Sequence, residues 1–182
     1  ELAGTATGDI EMRGAGEAHA TEIRFNGRNI VTPSFTATTA EGNISIATLF
    51  GVPRPEGQVK LAKARIGGQR FDSATVTAKA TGTNTYRTAV KLAGPDLSLD
   101  ADAVVTLGSG EARYAVSRLA GKLRGIPFSA SAPLVLQQAG ETVTLEPARL
   151  AIGKGSIRVG GRLLPDLRAT ATVQSLPLAA FA

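Results

Sequence analysis

The chain has 182 residues, of which 43% are hydrophobic and 4% aromatic, and it contains one His, no Cys and no Trp. Zinc and iron-sulfur sites draw on Cys and His, a thiol nucleophile is impossible, and a Ser-His-Asp triad would depend on His19 alone. The length suits one domain or two small ones. We therefore expect a non-enzymatic chain with no cofactor and no metal site.

The charge is mildly basic, with a formal net charge of +5 and a pI near 10.0. Basic residues form no run and aromatic residues are scattered, so the sequence predicts no nucleic-acid partner. The strongest local bias lies between residues 54 and 91, which hold eight basic and two acidic residues. These basic residues either steer anionic lipid headgroups toward the groove or only keep the outward strand faces soluble.

No stretch approaches the ~18 consecutive apolar residues that a membrane-spanning helix needs. The chain begins at Glu1 without a charged region followed by an apolar one, which is typical of a mature or internal segment. We expect any membrane anchor to lie outside this sequence.

Period-two alternation of apolar and polar residues dominates the chain, with Gly or Pro punctuation about every ten residues. This pattern predicts strands joined by tight turns. No segment between them is long enough for repeated crossover helices, so we expect an antiparallel meander. The strands are predicted around 74–80, 86–92, 97–107, 126–136, 143–145, 150–152, 157–163 and 169–173.

Two segments also fit helical spacing. Apolar residues at 112, 115, 116, 119, 120 and 123 follow a helical pattern, and the segment 59–66 poses the same ambiguity. Gly121 and Gly125 would end a helix early, and Tyr114 and Val116 alternate as in a strand. We favour strands, with short helices as the alternative.

The scarcity of aromatic residues argues against an ordinary two-sheet core, which uses large rings between its layers. The predicted fold class is all-β: an elongated, curled, mostly antiparallel sheet of roughly a dozen strands, with at most short helices. Small aliphatic side chains on one face would leave an apolar groove. We predict that the groove is lined by Leu97, Leu99, Ala101, Ala103, Val105, Leu107, Ile126, Phe128, Ala130, Ala132, Leu134, Leu136, Val143, Leu145, Leu150, Ile152, Ile157 and Val159.

A succession of short motifs in the C-terminal half carries a family resemblance. The motifs are GIPF at 125–128, APLVL at 132–136, LEPARL at 145–150, GKGSIRVGGRL at 153–163 and LPL at 176–178. Their order resembles the TamB family, within the wider AsmA-like group. The resemblance covers about residues 94–182 and is only a likeness of style over residues 1–93. We expect one segment, 1–182, with possible sub-units 1–94 and 95–182.

The resemblance implies a β-taco, a rolled sheet with an apolar interior, and a place in the periplasm of a Gram-negative bacterium as part of an inner-membrane-anchored protein. It implies a bridge-like conduit for phospholipid between the inner and outer membranes. It also implies partnership with an outer-membrane barrel protein of the TamA type, made through other regions of the full-length protein, in outer-membrane protein assembly.

A structural or assembly scaffold with a closed core, such as a β-solenoid or sandwich, is the alternative function. In a related alternative, an exposed sheet edge pairs with strands of outer-membrane proteins. Pro33, Pro127 and Pro133 are predicted at edges or bulges, where a missing N–H is tolerated.

Three polar residues could be drawn into a chemical site, and for each we favour a surface role. His19 lies among acidic residues and is expected to be a surface strand residue. Asp100 and Asp102 alternate on one strand face and could form a carboxylate pair, but a solvated edge is the simpler interpretation.

Overall fold

The computed structural model describes residues 3–14, 19–47 and 54–176, which form thirteen β-strands and no helix. All strand pairs are antiparallel, which confirms the predicted all-β class. The strands are β1 (Ala3–Arg13), β2 (Ala20–Val31), β3 (Phe35–Ala47), β4 (Arg54–Ile66), β5 (Gln69–Ala80), β6 (Thr85–Ala93), β7 (Leu97–Leu107), β8 (Glu111–Leu123), β9 (Ile126–Ala130), β10 (Leu134–Ala139), β11 (Thr142–Ile152), β12 (Gly155–Leu164) and β13 (Arg168–Gln174).

The strands form a single sheet in which spatial order follows chain order. β9 and β10 share one position between β8 and β11, so the sheet is twelve strands wide. At about 4.8 Å per strand the sheet extends about 53 Å. β6 pairs with β7 over eight residue pairs, so the parts before and after residue 94 lie in the same sheet.

The segments 59–66 and 112–123, which also fit helical spacing, lie in strands β4 and β8. The preference for strands is therefore confirmed. In both segments the departure from period two has a local cause. β4 contains Lys63 at φ 48°, and the ladder between β7 and β8 shifts between Asp102 and Ala103.

The prediction of one strand over 126–136 was wrong, because residues 131–133 separate β9 from β10. Ala132 consequently lies in the link and is exposed. Pro133 lies in this break and Pro33 in the β2–β3 turn, but Pro127 lies in β9, which has neighbours on both sides. The edge or bulge predicted for Pro127 is therefore wrong. It follows the first residue of a five-residue strand, where little of the ladder depends on its N–H.

The register of the ladders gives the sheet two chemically distinct faces, because directly paired residues in an antiparallel sheet lie on the same side. On the side that we call the apolar face, one row of paired residues runs without interruption through eleven strands. We call this row the apolar rung; it consists of Ala6, Gly27, Ala40, Leu61, Ala74, Leu92, Leu99, Gly121, Phe128, Ile152 and Gly155.

The neighbouring row points to the opposite side, which we call the polar face. It consists of Thr7, Asn26, Glu41, Lys60, Thr75, Lys91, Asp100, Ala120, Ser129, Ala151, Ser156 and Gln174.

Two lines of irregularity cross the sheet. The first passes through Asn29 in β2 and Lys63 in β4, both at positive φ. The second passes through the β7–β8 shift, the 131–133 break and a shift in the β11–β12 ladder between Leu145 and Ala148. Bulges bend strands and increase their twist, so these lines account for the curl of the sheet.

Close approach of a ring to a neighbouring strand requires glycine on the apolar face. A Cβ added to Gly121 would collide with the backbone oxygen of Ser98 and lie 2.7 Å from Cζ of Phe128. Phe25 likewise covers Gly42, its cross-strand partner. The rings therefore lie over the neighbouring strand instead of standing on the sheet.

Gly121→Ala is expected to lower the free energy of unfolding by about 2 kcal/mol, because the added methyl group must displace both a backbone carbonyl and a packed ring. Urea unfolding followed by circular dichroism measures the effect. Gly108→Ala is the matched control, since its Cβ would approach nothing closer than 3.6 Å. Equal stability of the two variants would contradict this packing.

Candidate functional site

Within residues 3–14, 19–47 and 54–176, no second layer covers the apolar face. No large side chain among the described residues is fully buried, and Val76, at the centre of the sheet, is 46% exposed. The accessible surface is 11527 Å², whereas a compact monomer of this mass exposes about 8,200 Å². A continuous apolar surface of this kind is typical of an interaction or ligand site.

Several of the most buried side chains on this face are small. Ala40, Ala64 and Ala74 are each at most 5% exposed, although no described residue forms a second layer over them. They are shielded by larger neighbours such as Leu61, which pairs with both Ala40 and Ala74. The alternation of small and large side chains gives the face a corrugated surface.

The structure brings together all but one of the eighteen predicted lining residues. The exception is Ala132, for the reason given above. The register places the other seventeen on the apolar face: Leu97, Leu99, Ala101, Ala103, Val105, Leu107, Ile126, Phe128, Ala130, Leu134, Leu136, Val143, Leu145, Leu150, Ile152, Ile157 and Val159.

The sequence reasoning missed the contribution of β1–β3 to this face. Ile10 and Ile23 pair there, as do Phe25 and Gly42. Alternation was hard to read because glycine occupies several inward positions. In β2, Gly27 and Ile30 also share the face although they are three positions apart, since Cδ1 of Ile30 lies 2.8 Å from where a Gly27 Cβ would be. The left-handed backbone conformation of Asn29 shifts the alternation of side chains by one residue.

The polar face carries the strand charges of the described residues. Arg118 bridges Asp100 at 3.0 Å and Asp102 at 4.0 Å, so the half-buried carboxylate pair is part of an ion network with an exposed arginine. The expected solvated edge is corrected in one respect: β7 lies inside the sheet, with β6 and β8 on either side. A hydrogen bond to Glu11 raises the pKa of the exposed Arg13 guanidinium.

His19 precedes β2 and is half-buried, so the prediction that it lies within a strand was wrong. Its neighbour Glu17 lies outside the described residues. Within 3–14, 19–47 and 54–176, no group of three or more His, Asp or Glu side chains is placed to hold a metal ion.

The basic residues between 54 and 91 lie on β4, β5 and β6. Lys60 and Lys91 belong to the polar row described above, and Lys79 is paired directly with Arg87. Arg65 is likewise paired with Arg70 at the β4–β5 turn. These basic residues therefore charge the polar face and one end of these strands, and the apolar face stays uncharged.

Comparison with family models, with curated proteins and with solved structures finds no match to this chain. The family resemblance therefore stays a prediction from the sequence motifs. In the part of the chain that the structure describes, no helix is long and apolar enough to cross a membrane.

The open face predicts that Val76→Glu leaves the protein folded while reducing its binding of a hydrophobic dye such as ANS. The glutamate would project into solvent, so the free energy of unfolding is expected to fall by less than about 2 kcal/mol. Thr77→Glu, on the polar face of the same strand, is the control and should leave dye binding unchanged. Global unfolding of the Val76 variant alone would show that another layer covers the face.

Arg118→Gln is expected to lower the free energy of unfolding by about 1 kcal/mol at low salt, because two neighbouring carboxylates lose their shared cation. Most of this loss should disappear in 1 M NaCl, since the network is solvent-exposed and screened. Chemical unfolding at the two ionic strengths measures the difference. A loss independent of salt would show that Arg118 acts through packing of its aliphatic part.

Proposed function

We propose that this chain is a segment of a conduit between the inner and outer membranes. Phospholipid acyl chains lie on its apolar face and are shielded there from water. The observation that carries the proposal is the apolar rung, which spans eleven strands without a charged or polar residue. Its ends lie about 48 Å apart, which is roughly three times the ~15 Å thickness of one leaflet of the hydrocarbon core.

The energetics suit transport along the face. Each acyl CH₂ removed from water is stabilised by about 0.8 kcal/mol, so a chain of ordinary length is held firmly. The contacts are non-directional, and neighbouring positions on the rung are chemically similar. A lipid can therefore move from strand to strand without losing a specific bond, which is why the conduit needs no catalytic or directional binding residue.

The location and partners follow from the motif resemblance. The chain would belong to a periplasmic protein held in the inner membrane by an anchor outside this sequence. The outer-membrane barrel partner of the TamA type would contact other regions of the full-length protein. Phospholipid is the partner that the face itself supports, through its chemistry and length.

Leu99→Asp is expected to reduce co-purifying phospholipid at least about tenfold, because a charge in the middle of the rung excludes two to three CH₂ groups at about 2 kcal/mol in total. Native mass spectrometry with lipid extraction measures the bound lipid. Ser98→Asp is the matched control: the adjacent residue faces the polar side opposite Lys122. The proposal fails if the wild-type chain carries no lipid or if both folded variants lose it equally.

Strand templating is a second candidate function, favoured by the outermost strands of the described sheet. β1 pairs only with β2, β13 pairs only with β12, and every residue of both strands is exposed. Such edges can accept an added strand by β-augmentation. Protection of β13 amides from hydrogen exchange by an amphipathic strand peptide would support this function, and unchanged exchange of these amides would oppose it.

A further inference from the structure

The two long margins of the sheet differ in charge. The margin formed by the turns β2–β3, β4–β5, β6–β7, β8–β9 and β11–β12, together with the two strand residues on each side of every turn, is the basic rim. Its described residues include five basic side chains and one acidic one: Arg65, Arg70, Lys122, Arg124 and Lys154, with Asp96. The opposite margin, defined in the same way, has four basic and three acidic side chains within the described residues.

Three successive turns of the basic rim enclose a cleft of about 480 Å³, which we call the rim cleft. A backbone hydrogen bond joins two of these turns: the N–H of Arg124 donates to the carbonyl of Asp96 at 2.6 Å. The volume is within the range of small-molecule sites. The lining residues are Gly68, Gln69, Arg70, Pro95, Asp96, Leu123 and Arg124.

The rim cleft adjoins the apolar face. Leu123 lines the cleft and also lies on that face, paired with Leu97. Gly121 of the apolar rung is two residues away along β8, a distance of about 7 Å. An amphiphile can therefore occupy the rung and the cleft together.

The cleft carries a net positive charge, because Arg70, Arg124 and Asp96 line it, and Arg65 lies beside it as the cross-strand partner of Arg70. Arg65 and Arg70 are direct cross-strand partners, and both are exposed. Like charges directly opposite each other destabilise a sheet, and an anion bound between them would relieve the repulsion. Guanidinium groups also bind phosphate oxygens in a bidentate manner. The pair favours a phosphate ligand over a neutral one.

We infer that the rim cleft binds the phosphate of a phospholipid headgroup while the acyl chains of the same lipid lie on the apolar face. This inference rests on the proposed function and adds the orientation of the bound lipid: headgroups lie at the basic rim and not at the opposite margin. The chemical class of ligand is an anionic phosphodiester lipid.

The test is uptake from neutral carrier vesicles that contain equal amounts of dioleoyl phosphatidylglycerol and dioleoylglycerol, which share their chains but differ in the phosphate headgroup. Native mass spectrometry gives the ratio of the two bound lipids. We expect the wild-type chain to favour phosphatidylglycerol at least about tenfold, and the double variant R65Q/R70Q to bind the two lipids about equally.

The double variant K79Q/R87Q is the matched control, because it removes another directly opposed basic pair from β5 and its neighbour. It should keep the tenfold preference. Removing a repulsive pair should not lower the thermal midpoint of R65Q/R70Q, so loss of preference would not reflect unfolding. Asp96→Asn should raise the preference about two- to threefold, a gain that damage to the fold would not produce.

The outcomes distinguish failure of the rim cleft from failure of the conduit. Lipid uptake without a headgroup preference, or an equal loss of preference in both double variants, would overturn the rim cleft and leave the conduit intact. No uptake of either lipid by the wild-type chain would overturn the conduit and the cleft together. Inorganic phosphate followed by ³¹P NMR is the last arm: binding lost in R65Q/R70Q, without a phosphatidylglycerol preference, would assign the cleft to free phosphate.

Discussion

Cross-strand register is the constraint on which the rest of this structure depends. Each strand alternates apolar and polar side chains, but alternation alone places them on opposite sides only within one strand. The ladders align the apolar side of every strand with that of its neighbour, from Ala6 in β1 to Gly155 in β12. A slip of one residue at any ladder would place a row of polar side chains on the apolar face. The faces of the sheet are therefore a collective property of its register.

The packing explains how a sheet without a second layer can remain ordered. Stability comes from neighbours within the layer: glycines accept rings from adjacent strands, and alanines lie between larger aliphatic side chains. Phe71, paired with Ala64, and Tyr86, paired with Ala80, are almost fully buried, at 5% and 6% exposure. Because these contacts are lateral, the outer surface of the apolar face remains available. An open face and an ordered sheet are thus compatible.

The sequence predicted the class of fold and most of the C-terminal face, since long alternating runs such as Leu97–Leu107 carry their own orientation. It could not predict the positions where the phase of alternation changes. Lys63 and Asn29 adopt positive φ without a glycine to signal it. Ala132 fits period two in the sequence but lies in a break between strands. The pairing of Arg65 with Arg70 follows locally from the Gly67-Gly68 hairpin turn, whereas the approach of three separate turns depends on tertiary arrangement and has no local signal.

The most direct test of the open lipid-bearing face is photo-crosslinking along β7. A photoreactive amino acid is introduced at each position from 97 to 107 in turn, and crosslinks to phospholipid are counted by mass spectrometry. We expect a period of two: strong crosslinks at the odd-numbered positions, from Leu97 to Leu107, and weak ones at the even-numbered positions between them. Equal labelling of both sets, or no labelling at the odd positions, would contradict it.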